Sequence, residues 1–306
     1  MKKIIQKVPV PLCGVMLGLA ALGNLLQSYG EGIRYACGII AALLLVLILL
    51  KLVLFPKMIK EDLQNPIMAS VSATFPMALM LLSTYVKPWI GAIAKYIWLF
   101  AIALHLVLII YFTIKFIVKL QMPKVFASYF IVYVGIVVAA VTAPAFEALS
   151  IGTAAFWFGF ATLLLLLVLV TIRYIKFKQI PEPAQPLICI YAAPTSLCVA
   201  GYVQSVTPKS KGFLLTLLVL ASILYVFALI KAIGYLKLKF YPSFAAFTFP
   251  FVISAIATKQ TMACLANMKQ PMPFLQYVVL IETIIAVIFV VYTFIRYMQF
   301  LFAPKN

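Results

Sequence analysis

Apolar stretches of about twenty residues or more recur along the whole chain, near 9–27, 33–54, 66–86, 90–117, 123–142, 151–175, 185–206, 212–236, 242–263 and 274–302. Only short charged connections separate them. Each is long enough to cross the roughly 30 Å hydrocarbon core of a bilayer as a helix. Backbone in lipid must satisfy its own N–H and C=O groups, so helices of this kind confine the chain to an all-α integral membrane fold. Composition agrees, because 10% of the 306 residues are charged against about 25% in a typical soluble domain. Ten spans consume the length as a single transmembrane domain, 1–306, which excludes a soluble enzyme or a nucleic-acid-binding module. The net charge of +18 then reports membrane topology rather than a nucleic-acid partner.

An even number of spans puts both ends on one face. That face receives 17 of the Lys and Arg residues, and the opposite face receives seven: Arg34, Lys87, Lys95, Lys209, Lys211, Lys259 and Lys269. By the positive-inside rule the N- and C-termini are expected in the cytoplasm, in the cell's inner or plasma membrane. The Lys-rich start before the first apolar run imitates a secretory signal. Pro9 and Pro11 open that run and no cleavage box follows, so it reads as the first span. The five cysteines lie in or at the ends of apolar stretches without C-x-x-C spacing, which reads as packing rather than a disulfide framework or metal site. With one His and six acids, no metal and no cofactor are expected.

The prolines carry a repeat. Pro9, Pro66, Pro123, Pro181 and Pro242 stand 57, 57, 58 and 61 residues apart, each at or just before an odd-numbered span. This spacing predicts one helical hairpin used five times. A second proline falls in four odd spans: Pro76 in the third, Pro144 closing the fifth, Pro194 in the seventh and Pro250 in the ninth. The even spans contain none. Proline frees a backbone carbonyl and kinks a helix, which lipid does not tolerate unless protein or a water-lined cavity takes up the carbonyl. The odd helices are therefore expected as a kinked inner ring around a pore, and the Leu-, Ile- and Val-rich even helices as an outer ring facing lipid. Small and hydroxyl residues gather on the odd spans, among them Thr74, Thr195, Ser196 and Thr248, which are candidate pore-lining groups. Between their flanking charges the odd spans hold no acid or base. A path without an acidic ring disfavours cations, while half-helix dipoles and basic loops favour anions held weakly enough to leave.

The third and ninth spans share a string, Thr74-Phe75-Pro76 and Thr248-Phe249-Pro250. The longer stretch Pro242-Ser243-Phe244-Ala245-Ala246-Phe247-Thr248-Phe249-Pro250 resembles the ninth helix of the tellurite-resistance/dicarboxylate transporter family. That family includes bacterial TehA-type channels and the slow-type anion channels of plant guard cells. The Pro9-x-Pro11 opening and a first helix with Gly14, Gly18 and Gly23 are also family-like. The resemblance implies ten helices in five hairpins around a five-helix pore, usually a homotrimer with one pore per subunit. It also implies that the Phe249 ring closes the pore as a gate, with Phe75 as a second, more weakly matched ring. Phe244 and Ala245 depart from the family, which commonly carries Trp or Tyr there.

Other polar residues stand outside the odd spans or at their ends. His105 and Glu282 are ionisable groups at lipid depth, and such groups are functional hypotheses by default. Both lie on even spans, where contact with a neighbouring helix competes with a proton relay. Lys259 closes the ninth span at the far mouth, where it either concentrates anions or is simply solvated. Asn24 touches the pathway or caps the first span. Lys51 and Lys231 snorkel to the interface. These readings predict an anion channel or facilitative transporter of small inorganic or organic anions, with the lipid bilayer as its surroundings. The alternative within the same family is a proton-coupled C4-dicarboxylate or sulfite-type carrier. A drug/metabolite-type carrier, built from two inverted halves, conflicts with five intervals near 57 residues, and an intramembrane enzyme lacks its catalytic set.

Overall fold

A computed structural model describes residues 2–303; Lys305, counted above on the terminal face, lies outside them. Among the described residues the chain is helical with no strand. Nine helical segments among these residues are long and apolar enough to cross a membrane: Leu12–Tyr29, Glu31–Leu54, Pro66–Ile90, Ile93–Ile117, Leu149–Lys176, Glu182–Ser205, Lys211–Tyr235, Pro242–Asn267 and Leu275–Phe302. The protein is thus an integral membrane protein.

The helices that follow an expected even span run unbroken: α3 (Glu31–Leu54), α7 (Ile93–Phe112), α10 (Leu149–Lys176), α12 (Lys211–Tyr235) and α14 (Leu275–Phe302). The first odd segment is α2 (Leu12–Leu26), approached by the short basic helix α1 (Lys2–Lys7). The third is split at Ala73 into α5 (Pro66–Ser72) and α6 (Thr74–Ile90), after α4 (Pro56–Asp62). In the seventh, a 3-10 stretch over Glu182–Ala192 precedes α11 (Ala193–Ser205). In the ninth, a 3-10 stretch over Pro242–Phe247 precedes α13 (Phe249–Asn267), with Thr248 at φ −98° and ψ −94° between them.

The second prolines therefore act differently from kinks in continuous helices. Pro194 and Pro250 are the second residues of α11 and α13, and Pro76 is the third of α6. In a first turn the missing N–H costs nothing, because that position has no intrahelical acceptor. The ring still clashes with the carbonyl four residues earlier, so the preceding turns cannot run on as α-helix. Each such proline starts a new half-helix at membrane depth.

The fifth segment departs furthest from expectation. Residues 123–142 are not one helix but a succession: a 3-10 turn at Met122–Lys124, α8 (Tyr129–Tyr133), a 3-10 turn at Gly135–Val137, α9 (Val138–Thr142) and a 3-10 turn at Ala143–Phe146 that contains Pro144. β-Branched residues and Gly135 crowd this stretch, and they propagate an α-helix poorly.

Burial divides the segments. Within their apolar windows, 67% to 94% of the residues of the first, third, seventh and ninth segments are buried, against 28% to 39% for α3, α7, α10, α12 and α14. The inner segments touch in sequence order, α2 on α6, α6 on α9, α9 on α11 and α11 on α13, and α13 returns to α2 to close a ring. Hydroxyls inside the ring take up backbone carbonyls, at the seventh-segment break and within α2. Ser196 Oγ and Ser254 Oγ both donate to Ala192 O, at 2.8 and 3.2 Å, and Tyr85 OH donates to Ala20 O at 2.6 Å. The first and last described helices meet on one face, where Lys7 Nζ donates to Ala303 O at 2.9 Å.

Candidate functional site

The ring encloses two cavities stacked end to end. The first, about 300 Å³, opens toward the terminal face and is bordered by the starts of the inner segments, including Pro11, Asn65, Pro181 and Pro242. Its deeper walls are apolar: Val71, Met77, Phe130, Ile131, Leu187 and Ile190. The second, about 470 Å³, lies toward the far face and is bordered by the segment ends, with Asn24, Gln27, Thr84, Gln204 and Gln260 among its polar groups. Two residues border both cavities, Phe249 and Leu197. Both are buried, at 6% and 2% exposure, so this pair forms the neck between the cavities.

The neck is built from helix starts. Phe249 is the first residue of α13, and α11 begins four residues before Leu197. The positive ends of both helix dipoles thus lie close to the neck. Gly18 on α2 explains how the break at Thr248 comes so near: a Cβ there would sit 2.5 Å from Thr248 Cβ and 3.0 Å from the Phe249 amide nitrogen. Thr248 Oγ1 then fastens the break to α2 by donating to Gly14 O at 3.0 Å, and also to Ala245 O at 2.7 Å. Behind the neck, Phe244, Phe247, Phe251 and Phe289 pack in a run, with Phe244 and Phe247 at 4.9 Å and Phe251 and Phe289 at 4.6 Å between centroids. Phe249 has no partner in these aromatic pairs among the described residues, so no ring stacking holds its side chain.

The other expected site residues separate into wall, backing and outer positions. Thr74, Pro194 and Pro250 border the terminal-side cavity, and Pro144 and Lys259 border the far one. Pro76, Thr195, Ser196 and Thr248 stand behind the wall, where Ser196 Oγ lies 3.0 Å from Ser254 Oγ and Thr195 Oγ1 has no hydrogen-bond partner. Phe75 is half-buried against the core and borders neither cavity. His105 is fully buried with Nε2 at 2.9 Å from Val132 O, a carbonyl at the α8 break. Glu282 accepts from Thr258 Oγ1 at 2.7 Å between α14 and α13. The two ionisable groups thus serve different segments and share no hydrogen bond.

Several wall residues are not distinguished in the sequence. Leu197 is one leucine among many. Arg34, counted only as a loop charge, borders the far cavity and is held by Asn24 Oδ1 at 3.2 Å and Thr84 O at 3.5 Å, with its guanidinium carbon 4.6 Å from the Tyr85 ring centre. Its one acidic neighbour, Glu31, lies 3.6 Å away. Lys259 donates to Leu25 O at 3.0 Å and to Ser28 Oγ at 2.7 Å, and Lys87 donates to the Ala145 carbonyl of the same wall. No Asp or Glu borders either cavity among the described residues. Arg34 and Lys87 reach this wall from near helix ends, where a count of loop charges does not single them out, whereas Lys259, expected at the far mouth, stands within α13.

Nor do the described residues contain a cluster of His, Cys, Asp and Glu fit for a metal ion. No curated protein matches the chain. Residues 7–298 match the SLAC1 family, the voltage-dependent anion channels, and over a ring of inner helices enclosing two acid-free cavities that match covers nearly the whole chain, which therefore belongs to this family.

Proposed function

We propose that the protein is an anion channel or facilitative anion transporter whose pathway runs through the two cavities and is closed by the Phe249 ring. One observation carries the reading: Phe249, with Leu197, is the wall common to both cavities. An aromatic ring in so narrow a neck excludes the water that an ion carries, and the desolvation cost closes the path without a charged plug. Turning the ring aside reconnects the cavities. Arg34 and Lys259 raise the local anion concentration in the far cavity, and the absence of acids along both walls leaves cations without a partner.

The ten-span arrangement belongs to the same proposal. The fifth segment is broken, yet its residues run from Phe130 at the terminal-side cavity to Thr142, Pro144 and Ala145 at the far one, which supports a complete crossing. We place the termini in the cytoplasm on the distribution of 17 Lys and Arg against seven. We take the assembly as a homotrimer with one pathway per subunit, in the inner or plasma membrane, on the family resemblance.

Planar-bilayer recording of the purified chain and Phe249→Ala under chloride and nitrate gradients tests the gate. The expected result is a current at least about tenfold larger in Phe249→Ala, equivalent to lowering a barrier by about 1.4 kcal/mol, reversing at the anion potential. Equal currents in both chains remove Phe249 from the gate, and reversal at the cation potential removes the anion reading. A proton-coupled C4-dicarboxylate carrier is the second reading, favoured by two cations, Arg34 and Lys259, on one cavity wall and by the buried Glu282 carboxyl against α13. Uptake of succinate that requires a proton gradient and fails in Glu282→Gln selects it.

A further inference from the structure

Glu282 stands at lipid depth on α14 and is 5% exposed, and among the described residues no Lys, Arg or His comes within ion-pairing distance of it. It closes one side of a pocket behind the ring wall, outside both cavities of the pathway. Ser196 of α11, Ser222 and Tyr225 of α12, and Ser254 and Thr258 of α13 border the same pocket. An ionised carboxylate taken out of water without a partner is strongly penalised, so this carboxyl carries either a proton or a bound cation.

The hydroxyl protons choose between the two. Each hydroxyl has one proton and two lone pairs. Ser196 Oγ donates to Ala192 O at 2.8 Å, Ser254 Oγ to Pro250 O at 2.9 Å and Ser222 Oγ to Leu218 O at 2.9 Å, in each case a carbonyl four residues earlier in the chain. Thr258 Oγ1 gives its proton to Glu282 Oε2 at 2.7 Å. With those protons spent, the pocket is left with lone pairs. Ser196 Oγ and Ser254 Oγ lie 3.0 Å apart, close enough to share one small ion, and Tyr225 OH, on a residue 6% exposed, has no hydrogen-bond partner. A proton on Glu282 serves a single oxygen of this set, whereas a hard cation gathers several oxygens at once.

Size and charge narrow the ion. The gap among these groups has no room for a water molecule, so an ion enters it without a hydration shell. Magnesium dehydrates reluctantly, and any divalent ion overbalances a single carboxylate in surroundings that penalise net charge. Potassium is about as large as water, whereas bare sodium is smaller. We infer that Glu282, with the hydroxyl oxygens of Ser196, Ser222, Tyr225, Ser254 and Thr258, forms a binding site for a dehydrated sodium ion. No His, Cys or second acid is needed, because carboxylate and hydroxyl oxygens suit a hard monovalent ion. The ion joins α12 and α14 to α11 and α13 near the starts that carry Leu197 and Phe249, so sodium holds the back of the neck together.

Equilibrium binding of radiolabelled sodium to the full chain in lipid nanodiscs, with choline chloride holding the ionic strength constant, tests the site. Saturable binding is expected, at least about tenfold weaker in Glu282→Gln, which keeps the shape and removes the charge, and about threefold weaker in Tyr225→Phe and in Ser254→Ala. Potassium should compete at least about tenfold less well than sodium. Sodium should also raise the thermal unfolding midpoint of the detergent-solubilised native chain above its value in choline, and leave that of Glu282→Gln where it was. Counts equal to those of protein-free nanodiscs overturn the site and leave the carboxyl to a proton. Binding as tight in Glu282→Gln as in the native chain, or potassium as effective as sodium, overturns it as well. If Glu282→Gln does not fold, Tyr225→Phe and Ser254→Ala carry the comparison, and indifference to both is the overturning result. Neither readout needs conduction, so the outcome is separate from the fate of the anion pathway.

Discussion

The two cavities meet at one ring yet are built from opposite materials. On the terminal side the inner segments begin as 3-10 turns and proline-led starts, and their side chains present hydrocarbon. On the far side the third, seventh and ninth segments end as regular helix and the first and fifth in short 3-10 turns, and amides, hydroxyls, Arg34 and Lys259 face the space. The contrast follows from what each helix end must satisfy. Breaks at membrane depth consume nearby hydroxyls internally, as Thr248 does on Gly14 O and Ala245 O, so few remain to face the cavity. Helix ends near the far face lie close to water, and long polar side chains can line the wall while their backbones stay paired. A pathway can therefore be selective by charge in one half and by desolvation in the other, without a fixed ion site in either.

The largest expected effect breaks the comparison at its centre. Phe249→Ala should merge the cavities and raise conductance by at least about tenfold, whereas Leu197→Ala, which removes the aliphatic side of the same neck, should raise it less because the ring still spans the path. Equal effects would make the neck a general constriction rather than an aromatic gate. Next in size is Gly18→Val, which forces α2 off the break at Thr248; overpacking costs about 1–3 kcal/mol, seen as a fall in the thermal unfolding midpoint of the detergent-solubilised chain. Of similar or smaller size is His105→Leu, which leaves Val132 O unpaired in the broken fifth segment and should destabilise by about 1–3 kcal/mol with little change in ion selectivity. A selectivity change there would instead point to a relay. The smallest effect sharpens the far half: Arg34→Gln with Lys259→Gln should reduce anion current about two- to threefold at low salt and hardly at all at 1 M, where screening shortens to about 3 Å.

The pair of Thr-Phe-Pro strings shows how far the sequence can be read. Both strings stand at proline-led helix starts rather than at kinks in continuous helices. In the ninth segment the string follows a 3-10 stretch, so Phe249 is the first residue of α13, and Gly18 of α2 leaves room for the backbone at Thr248 and Phe249 to come close against it. In the third, α5 runs to Ser72 and only Ala73 separates it from α6, so Phe75 is the second residue and packs outside the cavities. One residue of phase rotates a side chain by about 100° on a helix of 3.6 residues per turn. The fifth span illustrates a different limit. Apolar length predicts that a segment can cross, but hydropathy does not register whether its turns are α or 3-10, and the His105 contact that stabilises one break comes from another helix.

What the sequence by itself determined is the class and the contrast between its segments: membrane helices by apolar length, and odd segments distinguished from even ones by proline and small residues, with prolines near 57-residue intervals predicting a hairpin repeat. These are local properties, set by the bonding capacity of each residue's own backbone and the hydration of its side chain. Only the tertiary structure decided which residues share a wall. Leu197 meets Phe249 and Arg34 turns into the far cavity because the ring closes from α13 back onto α2, and closure is a sum of packing contacts between distant segments that no single stretch encodes.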